Sequence, residues 1–195
     1  ELLTVLARKK RELSVRGILV VLSLEEIRTG APEAMALLGR TLRQQIQQLM
    51  LTLGRQFPVT VLIPDLDGLH GMDEILETVP DEECSSLLGL TVPAEAVHTP
   101  QDFFATFGEQ FISASTTYLE NTVQKNARNG LFPKNAMLLA LEQLKETKDR
   151  FQSFFGELLR PLAHRVPVPL LGAYFCQSPD PARLRTLFLP GLTTC

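Results

Sequence analysis

The chain has 195 residues, a net charge of −3, 45% hydrophobic residues and 21% charged ones. That balance suits one globular domain, or one carrying an insertion, and excludes a disordered chain. Mild acidity argues against nucleic-acid binding, which calls for a basic face. No apolar run approaches the roughly 18 residues that cross a bilayer. The three cysteines, Cys84, Cys176 and Cys195, are scattered and odd in number. They support neither a disulfide framework nor a zinc site and read as small buried residues of a reducing compartment. The sequence opens at Glu1 with no signal peptide, so a longer parent protein is expected, with any membrane anchor outside this stretch.

Leu2, Leu3, Val5 and Leu6 sit at helical spacing before the basic cluster Arg8-Lys9-Lys10-Arg11. This reads as a helix with cations at its C-terminal end, where the helix dipole favours them. Gly17–Leu24 is a strand-sized, branched, apolar run. It is apolar along its whole length, as a central strand covered on both faces would be. After Gly30 and Pro32 a long helix is predicted to about Leu53. Leu38, Leu42, Ile46, Leu49 and Leu53 mark its apolar face, and Gln44, Gln45, Gln47 and Gln48 fill much of the other. Gly54 stops it. Pro58 then opens a second buried strand, Val59–Ile63.

Strand, helix and strand in that order form a right-handed crossover unit and imply a parallel sheet. A third strand is predicted at Leu170–Cys176. A helical block lies between the second and third strands. Short pieces are expected over about 72–79 and 81–88, with Asp81-Glu82-Glu83 as a charged helix start. Thr99 caps a helix beginning at Pro100, with Asp102 in its first turn. Phe103, Phe107, Phe111, Ala114 and Tyr118 trace one face, and Asn129-Gly130 ends it. Another helix starts at Pro133 and reaches about Leu159, with a stripe of Leu138, Leu141, Leu144, Phe151 and Phe155 broken by Lys148. The segments 100–126 and 133–159 are expected to pair as an antiparallel helical unit outside the sheet, with the aromatic stripe as packing between them.

Chemistry-bearing motifs are few. Val59–Ile63 ends in Pro64-Asp65-Leu66-Asp67-Gly68, and parallel α/β sheets gather ligands at the carboxyl ends of their strands. The plainest reading of those residues is a solvated acidic turn. A metal pair of Asp65 and Asp67 would need more oxygens nearby. His70, His98 and His164 are too far apart for ligand spacing. No G-x-S-x-G nucleophile elbow and no G-x-x-x-x-G-K-[ST] phosphate loop occurs.

An ordered series of segments resembles the cytoplasmic domain of the IcmF/TssM family, inner-membrane components of bacterial type VI secretion systems with relatives in type IV systems. Val15-Arg16-Gly17-Ile18-Leu19-Val20-Val21-Leu22-Ser23-Leu24 looks like the family's "NGV-apolar-SL" strand, and Leu53-Gly54-Arg55-Gln56-Phe57-Pro58-Val59 is similar to its "LG-x-R-FPV". Gly71–Leu76 stands where the family tends to have "GF-x-EFF", and Leu88–Pro93 resembles its "WG-x-T-x-P". Phe132-Pro133 and Gly172–Phe175 complete the order, over about residues 15–178.

The resemblance implies an α/β fold: a partial P-loop GTPase-like parallel sheet, the last three strands of such a sheet, with a helical insertion. Residues 1–70 and 165–195 would belong to the GTPase-like domain and 71–164 to the insertion. It implies a base-specificity loop of threonine, lysine, any residue and aspartate after the second strand. Asp67 matches that aspartate, and Asp65 stands in place of the lysine. The implied function is a non-enzymatic cytoplasmic scaffold at the inner membrane, with no cofactor in this chain. Its implied partners are a DotU/TssL-like membrane protein and baseplate components. The alternative is an NTPase using GTP or ATP with magnesium, its phosphate loop lying upstream.

Overall fold

The computed structural model describes residues 16–79, 88–92, 101–130, 135–162 and 167–176. The helix end predicted over Leu2–Arg11, residues 81–87 of the piece predicted at 81–88, the Thr99 cap and the Pro133 helix start lie outside the described residues. Strand β1 is Ile18–Val21. It ends sooner than predicted because Ser23 accepts a hydrogen bond from the Glu26 N–H at 3.3 Å and caps helix α1, Leu24–Thr29. Ser23 followed three residues later by Glu26 is the spacing of a capping box. Helix α2, Pro32–Leu53, begins on proline and stops at Gly54, whose φ of 64° is left-handed. The Gly54 N–H then reaches back to the Met50 and Leu51 carbonyls. Both ends follow from local chemistry: proline lacks only an N–H that a first turn leaves unpaired, and glycine enters the left-handed region without penalty.

Strand β2, Val59–Ile63, is buried throughout. A 3-10 turn at Leu66–Gly68 and helix α3, Met72–Leu76, follow. Beyond them come strand β3, Gly89–Thr91, helix α4, Gln101–Ala105, and helix α5, Phe107–Arg128. Helix α6 is Asn135–Lys145, α7 is Lys148–Leu158 and strand β4 is Leu170–Phe175.

The sheet order is β1-β2-β4-β3. The three predicted strands are adjacent and parallel, with Val20 opposite Val61 and Val61 opposite Ala173. The sheet is nonetheless mixed, because β3 adds to β4 in the antiparallel sense. Three residues, Gly89-Leu90-Thr91, are too few to show a strand period. They pair because β4 offers its outer edge, and the Thr91 and Tyr174 hydroxyls meet at 2.9 Å. The sheet thus takes a strand from within the span 71–164. Between β2 and β4 the register slips by one residue at Leu171, which turns outward.

The described helices put their apolar residues into one large core on one sheet face, with Val59, Val61, Ile63, Leu170, Ala173 and Phe175 beneath them. The predicted pairing of the two segments is present, with Phe107 meeting Phe155 and Phe111 meeting Phe151, but the paired unit rests on the sheet face and does not stand apart from it. Phe111 of α5 stacks on Phe175 of β4 at 4.8 Å between ring centroids, and Phe151 of α7 meets Phe175 edge-on at 5.9 Å. Phe107 and Phe111 are fully buried, whereas Ala114 of the predicted stripe is exposed. Bulky rings leave water by resting on an apolar sheet, and that gain outweighs pairing the two helices alone.

The predicted helix over 133–159 breaks at Glu146-Thr147, where the buried Thr147 hydroxyl donates to the Leu144 carbonyl at 2.6 Å. Lys148, the polar gap in the stripe, reaches Glu109 of α5 at 2.6 Å. Leu141 is buried beneath α5. Leu141→Asp should cost several kcal/mol, as burying an unpaired carboxylate does. Chemical denaturation measures it, and a loss below ~1 kcal/mol would mean that this face is not packed.

The buried face of α2 is rotated from the prediction. Met35, Gly39, Arg43, Ile46, Gln47, Met50 and Leu53 are buried, while Leu38, Leu42 and Leu49 are only half-buried. Close contact with α7 decides this. A side chain at Gly39 would run into the Phe154 carbonyl, so the helices touch backbone to backbone there. One turn on, Arg43 is buried because its Nη1 donates to the Glu157 carbonyl at 2.5 Å and lies 3.8 Å from the Glu157 carboxylate.

Strand β1 is not central among the described residues. It is the outermost strand, and Leu19 and Val21 are 57% and 60% exposed. The sheet face on which they lie carries a separate small cluster of Leu62, Tyr174 and Cys176.

Candidate functional site at the strand ends

The parallel strands β1, β2 and β4 bring Leu22-Ser23, Pro64-Asp65 and Cys176 to one end of the sheet. Backbone bonds tie this end together. The Cys176 N–H donates to the Ile63 carbonyl at 2.9 Å, and the Leu66 N–H donates to the Cys176 carbonyl at 3.3 Å. Asp65 takes a left-handed conformation, with φ of 65° and ψ of 34°. Asp and Asn tolerate that region better than other side chains. The Gly68 N–H then closes the turn on the Asp65 carbonyl at 2.9 Å. Asp65 is exposed and Asp67 half-buried, while Leu66 between them is fully buried. Leu66 is the anchor of the loop, and the two carboxylates ride on either side of it.

Cys176 lies within the electrostatic reach of Asp65, a neighbour that sequence spacing does not reveal. Burial pushes its thiol pKa up, and the Asp65 charge adds to the effect. A thiol held neutral in this way is a poor nucleophile. His70 is exposed in the turn after the loop, and His98 and His164 lie outside the described residues. Among the described residues no group of three or more histidine, cysteine, aspartate or glutamate side chains is placed to hold a metal ion.

The base-specificity loop that the resemblance implies falls on Pro64-Asp65-Leu66-Asp67. A base pocket of the expected kind needs a long aliphatic stem over the ring. Asp65 supplies a short carboxylate in a left-handed turn, next to a second carboxylate two residues on.

The model of the IcmF-related N-terminal domain matches residues 1–192. The chain belongs to this IcmF-related family. It is 24% identical over 174 residues to the type VI secretion system component TssM1 of Pseudomonas aeruginosa strain PAO1, a match covering 89% of this chain and 16% of that protein. The chain therefore spans about one-sixth of the length of the relative it matches. No solved structure matches it. In this IcmF-related domain, no helix among the described residues is long and apolar enough to cross a membrane.

A concave feature lies away from the strand ends. A shallow cleft of about 210 Å³ runs between α5 and α6 and is lined by Val123, Leu138 and Leu141, with Glu120, Glu142 and Lys145 at the rim. Lys145 holds both acids, at 2.9 Å to Glu120 and 3.0 Å to Glu142. Those two hydrogen-bonded carboxylates raise its pKa above the ordinary lysine value. Leu138 and its neighbour Leu139 stay half exposed.

Proposed function

We propose that this IcmF-related domain is a docking scaffold of a type VI secretion membrane complex, held at the cytoplasmic face of the inner membrane by segments outside residues 1–195. The observation that carries the reading is the pairing of family membership with an acidic, left-handed Asp65 where a nucleotide-binding relative would place lysine. A docking role needs a surface and not a reaction. The adjacency of β1, β2 and β4 supports the view that they are the last three strands of a GTPase-like sheet whose nucleotide loop has become an acidic turn.

The contact surface we favour is the outer side of α5 and α6, where Leu138 lines the cleft and the neighbouring Leu139 is half exposed. Its partner would be a DotU/TssL-like membrane protein, with baseplate components on the far side. Co-purification of the full-length protein with that partner is the test. Leu138→Arg should abolish it without lowering the thermal midpoint, because an exposed position costs little on folding. Undiminished co-purification of the folded variant would rule this surface out.

The scaffold reading also has a negative arm. Calorimetry with GTP and magnesium should detect no binding to residues 1–195. Micromolar binding that Asp67→Ala abolishes would instead support the NTPase reading, with a phosphate loop upstream.

A further inference from the structure

Three arginines converge on one carboxylate where α2 crosses α7. After Glu33, helix α2 carries no acid, and its charged residues are Arg40 and Arg43. From Phe151 to Leu162 the chain holds one acid, Glu157, and one cation, Arg160. Arg40 Nε lies 3.4 Å from Glu157 Oε2, Arg43 Nη1 lies 3.8 Å from the same oxygen, and Arg160 Nη1 lies 2.8 Å from Oε1. The Arg43 and Glu157 side chains are 5% and 13% exposed, whereas those of Arg40 and Arg160 are 51% and 57% exposed.

The three cations differ in what holds them. Arg43 belongs to the packing, since it also donates to the Glu157 carbonyl. Arg160 follows the end of α7, where the helix dipole favours a cation. Arg40 has neither reason. It stands mid-helix, half in water, and its contact with Glu157 is longer than the about 2.7–2.9 Å of a tight charge-assisted bond. Leaving Arg43 aside, two exposed guanidiniums share one carboxylate, a local surplus of positive charge on a chain of net charge −3. A guanidinium carries several N–H donors in a planar fork, so one contact to Glu157 leaves each arginine donors for a second anion. The frame beneath them is rigid, because α2 and α7 touch backbone to backbone at Gly39, the residue before Arg40.

We infer that Arg40 and Arg160 form a binding site for a terminal phosphate group, carried by a soluble compound or by a lipid headgroup. A single fork fills the two oxygens of a carboxylate. A terminal phosphate offers three strong acceptor oxygens and close to two negative charges, which suits two forks at once. A triphosphate bound to magnesium fits less well, because the metal takes up oxygens and charge of its terminal phosphate. The inference does not depend on the docking role.

The test uses the full-length natural protein in an uncharged detergent. Phenylglyoxal modifies exposed arginines, and peptide mass spectrometry reads each position. Inorganic phosphate, titrated to saturation, should slow modification of Arg40 and Arg160 at least roughly tenfold, since a bound ligand shields the occupied fraction. The exposed Arg55 should react as before. Protection by inorganic phosphate assigns a soluble compound. Protection by short-chain phosphatidic acid, and not by inorganic phosphate, assigns a lipid headgroup. No protection by either probe would overturn the inference. So would equal protection by sodium chloride at matched ionic strength or by short-chain phosphatidylcholine, which would mean screening or detergent-like cover alone. Arg40→Gln, at an exposed position, gives a second reading: Arg160 should lose most of its protection. Arg160 protected as fully as before would show that the two arginines are not one site, and would overturn the inference too.

Discussion

Phe111→Ala is expected to destabilise the domain by about 3–5 kcal/mol, the range for removing a buried phenylalanine. Phe111 is fully buried, and its ring meets Phe151, Phe155 and Phe175 at 5.3, 5.9 and 4.8 Å. It is the ring through which α5 touches both α7 and the sheet. Three other rings surround the hole that truncation would leave, and rigid rings on backbone-anchored elements close over a gap poorly. Urea unfolding followed by circular dichroism measures the loss. Tyr118→Ala, at a half-buried position on the same helix, is the comparison. If Phe111→Ala cost no more than Tyr118→Ala, the helices would not be seated on β4 as described.

Gly39→Val should cost about 3 kcal/mol, at the top of the usual range for overpacking. The first carbon of any side chain there would overlap the Phe154 carbonyl oxygen and come within 3.2 Å of the Leu158 nitrogen. Both are backbone atoms of α7, so no rotamer change relieves the clash and the helices must separate. Separation would also pull Arg43 from the Glu157 carbonyl and leave a buried guanidinium short of a partner, which adds to the loss. Gly68→Ala is the control, since nothing lies within 4 Å of a side chain at that position. A neutral Gly39→Val, measured by the same unfolding curve, would contradict the close crossing of α2 and α7.

The part of this fold that was legible in the sequence is the part fixed by near neighbours. Pro32 and Gly54 mark the two ends of α2 because each acts through its own backbone. Asn129-Gly130 marks the end of α5 likewise, with Gly130 at a φ of 85°. The branched run Val59–Ile63 could only be a buried strand, and Pro64-Asp65-Leu66-Asp67-Gly68 could only be a turn at its end. The acidic turn was therefore placed correctly along the chain. Its neighbour Cys176 was not foreseeable, because β2 and β4 are far apart in sequence and meet only when the sheet forms.

Tertiary structure decided the rest, and in each case because a contact from a distant segment outweighed a local preference. β3 is a strand only because β4 offers a free edge to three residues that carry no pattern of their own. The apolar repeat of α2 points to Leu38, Leu42 and Leu49, but the helix turns Gly39 and Arg43 inward, since only glycine permits so close an approach and Glu157 supplies a partner for the arginine. β1 is apolar along its length and reads as a central strand, yet among the described residues it stands at an edge. Its place in the order is a matter of chain topology, and hydrophobicity, having no direction, cannot encode that choice within the strand itself.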